Sequence, residues 1–164
     1  MARVFQFSES VEFAWPADDV WPYLIAFEQV PLWEEGVVEV RQLTPGVPRV
    51  GTEIMARRIY GGRESILRGV ISEYHPGRSA TMALEGGPLR EASVCYAVEP
   101  LTARTSIVTY SASGSLRGPF RLLQPLAPAM GRNQTRINLA RLQRRIAAGI
   151  PPDSSEPMPR RTTR

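Results

Sequence analysis

The stretch VPLWEEGVVEVRQL, residues 30–43, contains the change of pattern on which the fold depends. A Val-Pro-Leu step leads into Trp33, two glutamates and Gly36, and an alternating run follows. So large an apolar ring is rarely left in a solvated loop. The stretch therefore predicts a short helical elbow that holds the Trp33 ring against an apolar surface, followed by a strand.

The residues before this elbow predict one strand and one helix. The run VFQFSESVEFAW, residues 4–15, alternates between apolar and polar side chains, as is typical of a half-buried strand. A proline ends it, and ADDVWPYLIAF, residues 17–27, has helical spacing with Asp18 or Asp19 as a suitable N-cap. Because a proline is tolerated in the first helical turn, we expect this helix to begin shortly before Pro22.

Downstream of the elbow the pattern predicts a series of short strands. We place them at residues 36–43, 50–60, 64–75, 78–86, 91–99 and 104–113, with Gly- and Pro-rich separators between them. Consecutive strands joined by tight turns predict an antiparallel meander. The side chains expected on its inner face are Ile54, Ala56, Arg58, Tyr60, Ala80, Met82, Leu84, Val94, Tyr96, Val98, Val108, Tyr110 and Ala112.

The last predicted element is a long helix at residues 119–148 that carries two apolar stripes. One stripe contains Thr135, Leu139, Leu142 and Ile146, and the other, almost opposite, contains Leu123, Leu126, Met130 and Ile137. One straight helix on one core needs only one stripe. Either the prolines at its start redirect the first half, or that half covers a separate apolar space.

Length and composition exclude several classes of protein. The 164 residues fit one domain, predicted at 1–149, with a Pro- and Ser-rich basic tail at 150–164 that we expect to be disordered. Without a long apolar run or a secretion signal, the chain is expected to be cytoplasmic. Cys95 and His75 are the only residues of their types, so we expect no internal disulfide, no metal site and no cofactor.

The charge of the chain is unevenly distributed. Residues 1–99 contain 14 acids and 9 arginines, whereas residues 100–152 contain 8 arginines and no acid. This basic segment is either a solvated helix face or a surface for an anionic ligand, a membrane or nucleic acid. Because no aromatic residue is interleaved with the helix arginines for stacking on bases, we expect no nucleic-acid partner.

The order of strand, two short helices, six-stranded meander and long helix resembles the helix-grip fold of the START-related SRPBCC superfamily. Within it, the chain resembles the polyketide cyclase/dehydrase family over about residues 4–147. The matching segments are VEFAWPADDVWPYL, VPLWEEGVVEVRQL, VGTEIMARR, VISEYHPGRSATM and GPFRLLQPLAPAM…RINLARLQRR. The resemblance implies an α+β fold, in which a curved antiparallel sheet of about seven strands grips the C-terminal helix around a deep hydrophobic cavity.

The resemblance also implies positions for the unusual residues. Trp33 would plug one end of the sheet with its ring on the apolar face of the first strand, or it would contact the cavity, while Glu34 and Glu35 would point to solvent. The stripe beginning at Leu123 would lie at the cavity mouth, or it would pack tightly with no void.

The ligand-binding residues predicted on this basis come from the inner face of the sheet, the elbow and the helix start. Tyrosines there can donate hydrogen bonds, and Arg58 suits a carboxylate or a phenolate, or it reaches solvent at a strand end. A cyclase also needs a positioned acid or base, and only Arg58 with a tyrosine is available, so no catalytic residue is assigned. The predicted set is Trp33, Arg58, Tyr60, Met82, Tyr96, Val108, Tyr110, Leu123, Leu126 and Met130.

Three functions are compatible with these observations. The first is binding or carrying a small hydrophobic molecule, such as a lipid, an isoprenoid or a polyketide, and the second is polyketide cyclase/dehydrase-like catalysis. The third is an interaction module whose basic C-terminal helix docks on an acidic partner or an anionic membrane surface, with Arg141 and Arg144 extending the Met130 side. A monomer and a homodimer are both compatible with the sequence.

Overall fold

A computed structural model describes residues 4–153, which form seven strands, two α-helices (α) and two 3₁₀ helices (η). In chain order these are β1 (Phe5–Phe13), α1 (Ala17–Ile25), η1 (Phe27–Leu32), β2 (Val37–Gln42), β3 (Glu53–Tyr60), β4 (Arg63–His75), β5 (Ser79–Gly86), β6 (Leu89–Pro100), β7 (Ser106–Leu116), η2 (Gly118–Leu123) and α2 (Ala127–Ala147).

All seven strands belong to one antiparallel sheet in the order β1-β7-β6-β5-β4-β3-β2. The meander from β2 to β7 therefore follows the chain, and β1 joins its far end, with Phe5 opposite Gly114 and Phe13 opposite Ser106. Register shifts interrupt four of the six strand pairs, and such bulges bend a sheet. The predicted α+β helix-grip fold, with its curved seven-stranded sheet and C-terminal helix, is confirmed.

Helix α2 packs against β1, and its backbone comes close to that strand at Gly131. Its buried face contains Thr135, Leu139, Leu142 and Ile146, which is the stripe predicted to close the core. At Gly131 the helix backbone approaches Phe7 so closely that an added Cβ atom would lie 2.3 Å from the ring. Glycine is therefore required there by space rather than by backbone conformation.

Replacing Gly131 with alanine is expected to lower the free energy of unfolding by about 1–3 kcal/mol, because the methyl group overlaps the Phe7 ring. Helix propensity alone would favour alanine by about 1 kcal/mol. Urea unfolding of the variant measures the balance. In a Phe7→Ala background the same substitution should become neutral or stabilising. An equal loss in both backgrounds would show that the ring is not the cause.

The first helix differs from its prediction in where it begins. Helix α1 starts at Ala17, five residues before Pro22, and its N-cap is Pro16 without a side-chain hydrogen bond. Asp18 and Asp19 therefore lie inside the first turn. There they complement the positive end of the helix dipole instead of capping it.

The C-terminal region is divided where the prolines predicted a disturbance. The predicted single helix at 119–148 is broken into η2 and α2, with Pro125 between them. Ile150, the first residue of the predicted tail, is buried, and its carbonyl accepts a hydrogen bond of 2.7 Å from the Tyr23 hydroxyl. Residues 154–164 of that tail lie outside the described residues. Within residues 4–153, no helix combines the length and the apolar character needed to cross a bilayer.

Candidate ligand-binding site

The turn that follows η1 directs the side chain of Glu34 into the protein. The backbone N–H groups of Trp33 and Glu34 both donate to the carbonyl of Val30, at 3.1 and 2.8 Å. This tight turn leaves Glu34 only 6% exposed. The expectation that the Glu34 carboxylate points to solvent is therefore wrong, whereas the side chain of Glu35 does lie at the surface, 57% exposed.

Both oxygens of the Glu34 carboxylate accept hydrogen bonds from residues of the sheet. Arg58 on β3 donates to Oε1 at 2.8 Å, and the Tyr96 hydroxyl on β6 donates to Oε2 at 2.8 Å. Burying a carboxylate is costly unless a cation and further hydrogen bonds compensate it, and here both are present. We call Glu34, Arg58 and Tyr96 the polar cluster.

A cavity of about 100 Å³ lies beside the polar cluster, between the sheet and α2. Its size is below the ~300–1,000 Å³ usual for drug-sized ligands, and closer to that of cavities that admit one aromatic ring. Aromatic rings form much of its wall, the polar cluster lies where the turn after η1 meets the sheet, and α2 contributes both Leu139 and polar side chains. The lining residues are Phe7, Trp33, Glu34, Arg58, Tyr96, Tyr110, Gly131, Gln134, Thr135, Asn138 and Leu139.

The aromatic rings of this wall form a continuous series. The Tyr96 and Tyr110 rings are 5.0 Å apart and tilted by 54°, and Phe7 lies 5.9 Å from Tyr110 on the other side. Trp33 meets Tyr96 edge to face at 6.1 Å. These separations fall in the range of favourable ring pairs, so the wall is fixed by mutual packing. Trp33 is thus buried like a plug and also contacts the cavity, and its ring partner is on β6.

Burial and charge together set the protonation of the site. Burial raises the pKa of Tyr96 and of Tyr110, and the nearby Glu34 carboxylate raises both further. Burial alone would lower the pKa of Arg58, but the Glu34 carboxylate and the surrounding tyrosines raise it on balance. At neutral pH the tyrosines are therefore hydrogen-bond donors and Arg58 is a fixed cation.

The raised tyrosine pKa values predict a loss of stability in alkali. The folded protein holds the phenolic protons of Tyr96 and Tyr110 more tightly than the unfolded chain, whose tyrosines have a pKa near 10.0. Their contribution is complete below that pH and is lost as the pH rises above it. Urea unfolding between about pH 8 and about pH 11 should show this decline, and Tyr110→Phe should make it shallower. An unchanged slope in the variant would contradict the assignment.

A second group of polar contacts joins the turn after η1 to helix α2. Asn138 Oδ1 accepts a hydrogen bond from the backbone N–H of Glu35 at 3.1 Å and another from Gln134 Nε2 at 2.9 Å. Gln134 Nε2 also donates to Glu35 Oε2 at 3.2 Å, and Arg141 pairs with the same oxygen at 3.5 Å. We call these four residues the clasp. Since Gln134 and Asn138 also line the cavity, the clasp closes one side of it.

The structure brings together only part of the predicted ligand-binding set. Trp33, Arg58, Tyr96 and Tyr110 line the cavity, and Tyr60 lies beside Arg58, whose guanidinium carbon is 5.6 Å from the Tyr60 ring centroid. Two further predicted residues, Met82 and Val108, are buried in the core but do not line this cavity. The remaining three, Leu123, Leu126 and Met130, are 47%, 56% and 60% exposed and also do not line it.

Sequence reasoning missed the acid of the polar cluster and the polar residues of α2. The inward position of Arg58 was the available signal for Glu34, because a buried arginine requires a counter-charge. The signal for Gln134 and Asn138 was weaker. They lie beside Thr135 and Leu139 of the predicted buried stripe. Their hydrogen-bond partner Glu35 is close to them only in the folded chain.

The fold places the chain in the class of START-like helix-grip proteins, and a family comparison makes the assignment narrower. The model of the family described as "Polyketide cyclase / dehydrase and lipid transport" matches residues 4–147. The chain therefore belongs to that family, as its sequence pattern suggested. A search among curated proteins found no match.

Solved structures share this fold at low sequence identity. A Zhui aromatase/cyclase from a Streptomyces strain is similar with a TM-score of 0.73 and 16% identity, over 90% of this chain and 99% of that chain. A conserved protein from Geobacillus kaustophilus is similar with a TM-score of 0.75 and 14% identity, over 88% of this chain and 97% of that chain. A START superfamily protein from Mycobacterium smegmatis is similar with a TM-score of 0.67 and 13% identity, over 88% of this chain and 96% of that chain. At these identities the likeness is one of fold.

Proposed function

We propose that the protein binds a small hydrophobic molecule, bearing a carbonyl or phenolic oxygen on an aromatic or polyketide-like ring, in the cavity between the sheet and α2. The observation that carries the proposal is the polar cluster buried beside an aromatic-walled cavity. Pockets of this composition, mostly apolar with a few placed donors, are typical of small-molecule sites. A lipid or isoprenoid would place only a ring-sized part of the molecule against the same apolar wall, because the cavity is about 100 Å³.

The Tyr110 hydroxyl is the donor available to such a ligand. Tyr96 donates to Glu34, whereas the structure gives the Tyr110 hydroxyl no hydrogen-bond partner among residues 4–153. Because the pKa of Tyr110 is raised, the group keeps its proton at neutral pH. A ligand oxygen would satisfy this donor, and Arg58 beside it would favour an oxygen that carries partial negative charge.

A matched pair of ligands tests this proposal. p-Cresol and toluene differ only in the phenolic hydroxyl and have the single ring that the cavity admits. NMR titration of the wild-type protein should show tighter binding of p-cresol, and Tyr110→Phe should reduce that preference about three- to tenfold. Tyr74→Phe, which lies outside the cavity, serves as the control. If neither molecule binds and native mass spectrometry shows no co-purified ligand, the proposal is contradicted.

A second candidate function is cyclisation or dehydration of a poly-keto intermediate. The grouping that favours it is a buried carboxylate between an arginine and a tyrosine hydroxyl. Such chemistry requires a proton acceptor placed against the substrate, and Glu34 is the acid available in the cavity. Both of its oxygens accept hydrogen bonds, and Arg58 and the tyrosines remain protonated, so the geometry favours binding over proton transfer.

One substitution separates the two functions. Glu34→Gln keeps an acceptor for Tyr96 and the shape of the site but removes the carboxylate base. An enzyme should lose product formation from a poly-β-keto thioester while its p-cresol binding changes little, and Arg58→Ala should also abolish turnover. Retention of full turnover in both variants would remove the catalytic candidate.

A further inference from the structure

A row of large apolar side chains is exposed along η2 and the outer face of α2. The exposed fractions of these side chains range from 39% at Ile137 to 83% at Leu122. Monomeric soluble proteins rarely leave such neighbouring groups in water without an interaction that covers them. We call this set the apolar stripe, and its members are Leu122, Leu123, Leu126, Met130 and Ile137.

The apolar stripe faces away from the core. On α2, Met130 and Ile137 are seven residues apart and therefore share one helix face, while the buried residues Leu139 and Leu142 lie nearly opposite. The close contact of Gly131 with Phe7 fixes which side of the helix meets the sheet. The stripe is thus not a displaced part of the core.

The segment of the chain that carries the apolar stripe is basic. Residues 100–152 contain no acid. Arg121 and Arg144 are exposed and, within the described part of the chain, have no ion-pair partner, in contrast to Arg136, which pairs with Glu9. Arg144 lies on the same helix face as the stripe, seven residues after Ile137. An apolar face flanked by unpaired arginines complements a surface that is apolar inside and anionic outside.

We propose that the apolar stripe and its flanking arginines dock the protein on the surface of an anionic lipid bilayer, with η2 and the outer face of α2 lying along the interface. Amphipathic helical segments with this distribution of apolar and basic groups bind in the plane of such surfaces. A second copy of the chain is a poorer occupant, because a symmetric contact centred on the stripe would bring its flanking arginines against those of the other copy.

Docking in this way would hold the cavity near the lipid. Gly131 and Gln134, which line the cavity, follow Met130 within about one helical turn. The inference does not depend on which molecule the cavity binds, and it can be tested without any cavity ligand.

Co-sedimentation of the full chain with vesicles tests the inference. Vesicles of phosphatidylcholine and phosphatidylserine, in a molar ratio of about 7 to 3, represent the anionic surface, and pure phosphatidylcholine is the reference. The protein should bind the anionic vesicles more tightly and lose affinity as salt is raised. The variant Leu122→Ser/Leu126→Ser/Met130→Ser should bind at least about tenfold more weakly, as should Arg121→Glu/Arg144→Glu.

Matched controls come from the hairpin between β6 and β7, at the opposite end of β7 from η2. Leu101 and Arg104 are exposed there, so Leu101→Ser and Arg104→Glu change the same residue types away from the stripe and should leave vesicle binding unchanged. Absence of binding to anionic vesicles would overturn the inference. An equal loss of vesicle binding in the control variants would also overturn it. If vesicle binding is absent and analytical ultracentrifugation shows a dimer that the stripe variant abolishes, the stripe binds a second copy of the chain instead.

Discussion

Replacing Glu34 with alanine is expected to lower the free energy of unfolding by about 3–5 kcal/mol, one of the two largest effects that the structure predicts for a single substitution. The variant leaves the Arg58 guanidinium, whose side chain is 22% exposed, without its counter-charge, and the Tyr96 hydroxyl without its acceptor. Urea unfolding monitored by tryptophan fluorescence measures the loss. Most of the loss is the cost of the stranded partners rather than the net value of the ion pair.

Two further variants separate this explanation from a general sensitivity of the turn. Glu34→Leu combined with Arg58→Met removes both charges and should recover much of the lost stability, since apolar replacements of buried pairs are often neutral. Glu35→Ala, at the neighbouring surface position, should cost less than about 1 kcal/mol. If the double variant is as unstable as Glu34→Ala, the stranded arginine is not the cause.

Replacing Trp33 with alanine is expected to lower the free energy of unfolding by about 3–5 kcal/mol. The Trp33 ring is only 2% exposed, packs on Tyr96 and forms part of the cavity wall. Its removal enlarges the cavity and withdraws support from the turn that carries Glu34. Chemical unfolding gives the stability, and p-cresol titration of the same variant reports whether the wall still holds a ligand.

A less buried tryptophan, Trp15, supplies the comparison for this prediction. Trp15 is only partly buried, so Trp15→Ala should cost clearly less than Trp33→Ala. Trp33→Phe, which keeps an aromatic edge near Tyr96, should restore part of the loss. Equal effects at positions 15 and 33 would show that the elbow residue has no special place in the core.

The architecture was predictable because local patterns and global fold agree along most of the chain. The Gly- and Pro-rich turns mark each hairpin, and alternation then identifies the inward side chains, as at Val94, Tyr96 and Val98. The ends of the helices were harder to predict from the sequence. Pro22 suggested a later start for α1 than the structure has, because tertiary packing of Val20, Trp21 and Leu24 outweighs the hydrogen bond that the proline cannot make.

The site was predictable only in its strand-borne half. Tyr96, Tyr110 and Arg58 follow from the period of two residues in strands, which fixes the side of the sheet. Glu34 follows no such period, because it lies in the turn after a 3₁₀ helix, where one backbone rotation decides between core and solvent. Two adjacent glutamates therefore have opposite environments. The sequence indicates only that the buried Arg58 requires an anionic partner, not which glutamate supplies it.

The apolar residues at the start of the C-terminal helix illustrate a different limit. Their spacing indicated a second apolar face, and the alternatives were a cavity mouth and a tight core. The structure exposes Leu123, Leu126 and Met130 instead, because the chain is broken before α2 and Gly131 sets the contact with β1. A sequence pattern reports that a face is apolar but not which surface covers it.

The pairing of β1 with β7 has a consequence for how the molecule assembles. Partner residues such as Phe5 and Gly114 are separated by more than a hundred positions, so β1 is synthesised long before its partner strand β7. Such distant pairing slows folding, because a long loop must close before the contact stabilises anything. The meander from β2 to β6 can form meanwhile, and the aromatic-rich β1 stays available to wrong partners until β7 emerges.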